Sequence, residues 1–182
     1  EVMRGSASML FGRGSTGGVI NQVTKKPKLI TEQEVVTTVG TGGNVRVTGD
    51  FNAVVGENAA LRVNVMKQKA SNFGARIDKE GIAPTYRWGI GTADEFTLGL
   101  FYLNVDNIPM SGLRYLSGGI ASNIPARNFY GTDSDYLRGE ATYGSGSWTH
   151  RFAGGGELRT QFRTGVFHRA AWGTTAGYCG AA

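Results

Sequence analysis

Between residues 31 and 169 the chain is written in short segments whose side chains alternate apolar and polar at every second position. A period of two belongs to a strand with one face against an apolar phase. The clearest segment places Val45, Val47, Phe51, Ala53 and Val55 on one face and Arg46, Thr48, Asp50 and Asn52 on the other. Gly56-Glu57-Asn58 turns the chain, and the return puts Leu61, Val63 and Val65 on the apolar side and Arg62, Asn64 and Gln68 on the polar side. Pairing Val55 with Ala59 predicts Asn52 opposite Arg62 and Phe51 opposite Val63.

A later hairpin repeats the scheme, with Ile82, Tyr86, Trp88 and Ile90 outward, Thr85 and Arg87 inward, and Phe96, Leu98, Leu100 and Tyr102 outward on the returning arm. Phe101 and Leu103 then face inward, packed on another element or in a dry core. The last pair sets Leu137, Ala141, Tyr143, Trp148 and Phe152 with Leu158, Phe162 and Val166 outward. Arg138, Glu140, Arg159, Gln161 and Arg163 take the opposite face, and Gly144-Ser145-Gly146-Ser147 is expected to form a bulge.

About seven strands result, the alternation expected where one face meets hydrocarbon and the other a wet interior. No hydrophobic stretch reaches the roughly 20 residues of a spanning helix. Connections at 56–58, 91–95 and 153–156 are tight, whereas 71–81 reads as a medium loop and 107–135 as a long one. Such sorting fits a membrane barrel better than a soluble sandwich, although 40–43 is short on the long side. Tyr86, Trp88, Tyr102 and Trp148 are candidates for interfacial girdles as a set; each taken alone reads first as a core aromatic.

The opening stretch, EVMRGSASMLFGRGSTGGVINQVTKKP, has a different grammar. Ala7-Ser8-Met9-Leu10-Phe11 suits one helical turn, Gly12, Gly14, Gly17 and Gly18 permit a tight reversal, and residues 19–24 alternate like a strand before a basic stop. It reads as the end of a small domain. Residues 12–17 also satisfy G-x-G-x-x-G, but a dinucleotide site needs a strand before the glycines and a helix after them, and the order here is reversed.

This stretch resembles the C-terminal part of the plug domain of TonB-dependent outer-membrane receptors, in the ferric-siderophore branch. The resemblance runs through Glu1-Val2-Met3-Arg4-Gly5, Ala7-Ser8, Leu10-Phe11-Gly12, Gly14, Gly17-Gly18-Val19-Ile20-Asn21 and Val23-Thr24-Lys25-Lys26-Pro27. It departs at Ser6, where proline is common, and residues 9–18 are most similar to receptors for catecholate siderophores. The rest of the chain is similar to the family's first barrel strands by pattern.

The resemblance implies an all-β fold: residues 1–27 close a plug, and 28–182 supply the first strands of a transmembrane antiparallel β-barrel. A plugged barrel has about 22 strands, so about seven are a third of it. The chain is therefore expected to be an incomplete piece that aggregates in water by its free edges. The implied function is TonB-dependent uptake of a ferric siderophore across the outer membrane of a Gram-negative bacterium. Iron enters as cargo, and neither a cofactor nor catalysis is implied. The expected partners are the ferric siderophore, TonB through an upstream segment, outer-membrane lipid and lipopolysaccharide, with a monomeric complete receptor. Gly5, Gly12, Gly14, Gly17, Gly18 and Asn21 form the plug signature, and Arg4 is implied to lock plug to barrel through glutamates of the wall. Alternatives are a TonB-dependent transporter of another substrate, such as cobalamin, or a soluble β-rich module holding a nucleotide at 12–18.

Charge supports an anionic cargo. The net charge is +5, and Arg46, Arg62, Arg87, Arg138, Arg159 and Arg163 fall on the polar face, so a wall made of them attracts anions. The competing use is pairing with Asp50 and Glu140 or with lipopolysaccharide phosphates. Nucleic acid is not expected, because the basic residues are dispersed. The loop at 107–135 carries Arg114, Tyr115, Arg127, Phe129 and Tyr130, a set suited to an anionic aromatic ring. His150 and His168 lie too far apart along neighbouring strands to share a metal, no hydrolase motif is present, and the single Cys179 has no internal partner.

Overall fold

The structure, a computed structural model, describes residues 2–5, 17–20, 24–110, 125 and 127–174. Two short strands, β1 (Val2–Arg4) and β2 (Gly18–Ile20), form a ribbon with Met3 across from Val19. Seven longer ones follow: β3 (Glu32–Gly40), β4 (Asn44–Gly56), β5 (Ala59–Asn72), β6 (Ala75–Trp88), β7 (Asp94–Asn107), β8 (Tyr136–Arg151) and β9 (Glu157–Trp172). They pair antiparallel in strict chain order, leaving β3 and β9 as open edges. The described residues contain no helix long and apolar enough to cross a membrane.

Burial runs opposite to that of a water-soluble protein. Among the described residues Ala60 and Pro27 are the only buried apolar side chains, whereas Asp50, Asn52, Arg62, Glu95, Asp135 and Thr149 are buried polar ones. Val47, Phe51, Leu98, Leu100, Phe162 and Val166 stand exposed on the opposite face. In water each such side chain forfeits about 1.5–3 kcal/mol of burial; against lipid tails the loss vanishes. The strands of 13 to 16 residues from β4 to β9 exceed the roughly 9–11 that cross a bilayer, so their ends project beyond it.

The outward face is banded. Tyr86, Trp88, Phe96 and Trp148 stack in a row with centroids 5.4, 5.2 and 6.4 Å apart. Beside them Asp94 accepts hydrogen bonds from Trp148 Nε1 (2.9 Å) and bonds His150 Nδ1 (2.8 Å), so the row ends in polar groups. Tyr102 lies six positions beyond Phe96 on β7, about 20 Å along the strand, with Ile82 and Thr142 as neighbours. Past it the same face turns charged. Lys67 meets Asp78 (2.9 Å) and Glu80 (2.6 Å), and Asp106 meets Arg76 (3.2 Å) and Arg138 (3.3 Å). An apolar band bounded by aromatic and then charged residues is the exterior of a membrane barrel.

The β4–β5 register places Asn52 opposite Arg62 and Phe51 opposite Val63 as expected, but Gly56, not Val55, pairs with Ala59 because the ladder slips between Val54 and Gly56. Three expectations require correction. No bulge interrupts β8: its register runs unbroken from Tyr136↔Trp172 to Arg151↔Glu157. With strict alternation Leu137, Ala141 and Tyr143 turn inward, while Arg138 and Glu140 share the outward face with Trp148. Four small residues looked like a break, yet a strand flanked on both sides by long partners keeps its ladder without large side chains. The segment 71–81 is no loop either. Asn72 and Ala75 are joined through Phe73 (φ 47°) and Gly74 (φ 91°), a two-residue hairpin turn, and the charges beyond it belong to strand above the apolar band. Hence only one connection on that side, 108–135, is long. The strand pattern also continues a little beyond the span 31–169, since β9 runs to Trp172. The helical turn expected at 7–11 lies outside the described residues.

Candidate functional site

The inward face is defined by what crosses it. Residues 25–30 follow no ladder of their own and lie over β4, β5 and β6, where wall side chains take up their main-chain polar groups. Arg62 Nη1 donates to the Lys26 carbonyl (3.1 Å), Arg87 Nη1 to the Pro27 carbonyl (3.0 Å) and Asn52 Nδ2 to the Lys28 carbonyl (2.8 Å). Asn52 Nδ2 also reaches the Ile30 carbonyl, and the Lys28 amide donates to Asn52 Oδ1 (3.0 Å). Pro27, in the middle of this strap, is fully buried.

The gripping side chains are themselves held. Arg62 donates to both Asp50 oxygens (2.7 and 2.6 Å), and Lys25 Nζ closes on Asp50 from the strap side (2.5 Å). Arg87 donates twice to Glu95 Oε1 (2.9 and 2.6 Å), and Arg151 Nη2 reaches its other oxygen (3.3 Å). A planar guanidinium suits this use, because a two-pronged carboxylate contact leaves a further N–H for a carbonyl. Removing one member of such a covered pair costs about 3–5 kcal/mol by stranding the other charge.

Towards β9 the wall changes. A cavity of about 710 Å³ is bordered by Lys25, Lys26, Arg159 and Arg163, by Phe101 and Tyr143, and by no carboxylate. Partial burial holds the Lys26 ammonium below its usual value, and the nearby Arg159 and Arg87 charges add to that effect. Tyr143 stacks on Phe101 at 4.6 Å, and the Arg163 guanidinium lies 3.8 Å above its ring. Gly165, directly across, makes this possible, since a Cβ there would sit 2.5 Å from that of Tyr143. Basic groups beside aromatic faces can hold an anionic aromatic molecule.

The base of the long connection is anchored separately. Asp135 is 1% exposed and accepts from the Thr132 amide (3.1 Å) and hydroxyl (3.0 Å) and from the Thr174 amide (3.0 Å) and hydroxyl (2.7 Å). Burial alone would raise its pKa, but the Thr174 and Thr132 hydrogen bonds prevail and hold the carboxyl below the usual range.

Of the residues singled out from sequence, Arg46, Arg62, Arg87, Arg159 and Arg163 lie on the inward face and Arg138 does not. Among the described residues Arg46, Arg159 and Arg163 have no carboxylate partner, in contrast to Arg62 and Arg87. Arg4 is exposed on β1 across from Gly18, also without a carboxylate partner among the described residues, and Gly5 Gly17 and Gly18 form the open end of that ribbon. Arg127 is exposed, and Tyr130 Oη accepts from Asn128 Nδ2 (3.2 Å). Gly12, Gly14, Asn21, Arg114, Tyr115 and Cys179 lie outside the described residues. Sequence reasoning missed Asn52, Glu95 and Asp135; Asp50 and Asn52 were legible as inward and polar, but the strap that occupies them was not. Among the described residues no three His, Cys, Asp or Glu side chains cluster as a metal site.

No family model matches the chain. The catecholate siderophore receptor Fiu of Escherichia coli K12 is 31% identical over 152 residues, 75% of this chain and 20% of that protein. The probable TonB-dependent siderophore receptor PiuA of Acinetobacter baumannii is 35% identical over 156 residues, 80% of this chain and 21% of that protein. The crystal structure of the ferric-catecholate import receptor Fiu from E. coli K12, open form, superposes with a TM-score of 0.87 at 25% identity, over 96% of this chain and 29% of that one. The chain spans about a fifth of the length of the curated relatives it matches.

Proposed function

Over about a fifth of their length this chain matches TonB-dependent siderophore receptors of the Gram-negative outer membrane in both sequence and fold, and from that premise we propose that it serves TonB-dependent import of a ferric catecholate siderophore. Residues 1–27 close the plug and 28–182 belong to the barrel part, whose first strand begins at Glu32. The ferric siderophore is cargo, neither cofactor nor reactant, and the chain's residues bind and pass it without changing its covalent bonds. TonB acts on a part of the receptor N-terminal to Arg4, and Arg4 helps hold the plug until that pull arrives.

The observation that supports the catecholate reading is the cavity beside β8 and β9, where Lys26, Arg159 and Arg163 meet the Phe101 and Tyr143 rings and no carboxylate lines the wall, Lys25 at its border being paired with Asp50. A ferric tris-catecholate presents flat aromatic edges and several negative charges, so both features of the wall favour it. A neutral or cationic cargo would gain nothing from the arginines.

The test is uptake of radioactive iron by a strain lacking its own catecholate receptors and supplied with the complete receptor that carries this sequence. Ferric catecholate should enter only when TonB is present and the membrane is energised. Equal entry without TonB, or uptake of a hydroxamate complex or cobalamin in place of the catecholate, overturns the reading.

A further inference from the structure

The strap at 25–30 is gripped at the Lys26, Pro27, Lys28 and Ile30 carbonyls and at the Lys28 amide by three side chains from three successive strands. The grip does not depend on the identity of the strap's own side chains, apart from Lys25 on Asp50. A ladder that slides would satisfy those groups in several registers, whereas Asn52, bonding on both sides of the Lys28 peptide and on to Ile30, fixes one. Asn52 is 2% exposed and Arg62 7%, so releasing the strap leaves an amide and a guanidinium facing a protein wall with their partners gone.

We propose that Asn52, Arg62 and Arg87 are positioning residues that keep 25–30 stationary on the wall through the transport cycle, so that whatever rearrangement the plug undergoes ends at Lys25. The inference rests on the transport reading above and narrows it: the moving part is bounded at its C-terminal side by a clamp built from β4, β5 and β6. Asp50 and Glu95 act one step back, by orienting the two guanidinium groups.

Pro27, whose side chain is fully buried in the gripped strap, supplies the probe. In cells carrying the complete receptor with Pro27→Cys, a water-soluble maleimide should label the thiol equally slowly with and without TonB, and with and without ferric catecholate. Adding Arg62→Ala should speed labelling by about tenfold, because local opening becomes easier, while circular dichroism in detergent stays that of a folded barrel. Arg62→Lys should fail to restore slow labelling, since an ammonium cannot hold Asp50 by two prongs and still reach the Lys26 carbonyl. Labelling that rises when TonB and cargo are both present, or labelling of the Arg62→Ala receptor no faster than that of its parent, overturns the proposal. If the wild-type receptor imports no catecholate, the substrate reading fails on its own, while the contrast between Arg62→Ala and its parent still reports on the clamp.

Discussion

The inward wall divides into two regions that use the same residue type for different ends. Under the strap, Arg62 and Arg87 are neutralised by Asp50 and Glu95 and spend their remaining donors on main-chain carbonyls. Beside β9, Arg159 and Arg163 have no carboxylate partner among the described residues and border an open cavity with aromatic walls. An arginine on the polar face of a barrel strand is therefore not by itself a ligand-attracting charge. What decides is whether a carboxylate sits within reach on the next strand, and that follows from register.

The largest expected effect falls on the first region. In the complete receptor, Asp50→Ala should lower stability to denaturant by about 3–5 kcal/mol, because it strands the Arg62 guanidinium under the strap, and Arg62→Ala should cost less, because Lys25 still meets Asp50. A loss below about 1 kcal/mol, as for a solvated pair, would erase the distinction between the two regions. Placing a new guanidinium on each face probes the premise that both regions share one aqueous side. Leu98→Arg, outward in the apolar band, should cost about 2–4 kcal/mol in bilayer folding titrations, and Thr97→Arg, inward beside it, should cost far less. Equal costs would mean that the faces are misassigned.

The second region should respond in transport and not in stability. Arg159→Ala with Arg163→Ala should slow ferric catecholate uptake several-fold and blunt its dependence on ionic strength, with the denaturation midpoint unmoved. A destabilised receptor with normal uptake would assign these arginines to the clamp class. Smallest is Arg138→Ala. Its outward side chain is 64% exposed beside Asp106, so stability should change by less than about 1 kcal/mol and uptake not at all.

Much of this was legible before any coordinates. Val45 to Val55 and Leu61 to Val65 announced their faces, and the pairing of Phe51 with Val63 followed from the turn between them. The errors share a cause. At Gly144-Ser145-Gly146-Ser147 the side chains are too small to report a face, so a break was inferred where neighbouring strands hold the ladder straight. At 71–81 the charged residues read as loop, although a strand that rises past the apolar band must carry charge on both faces. Asp135 gave no signal at all, because its partner Thr174 lies 39 residues away on the far side of a hairpin.

Alternation with a period of two is a local property, and the amino-acid order by itself determined the strands, their inward and outward faces where side chains are distinctive, and a wet wall opposed to a lipid-facing one. Which inward charges are free and which are consumed is a distance between strands and a strap remote in the chain. Lys25 and Asp50, or Arg87 and Pro27, meet only once the wall is built, so the division between clamp and cavity belongs to the tertiary structure.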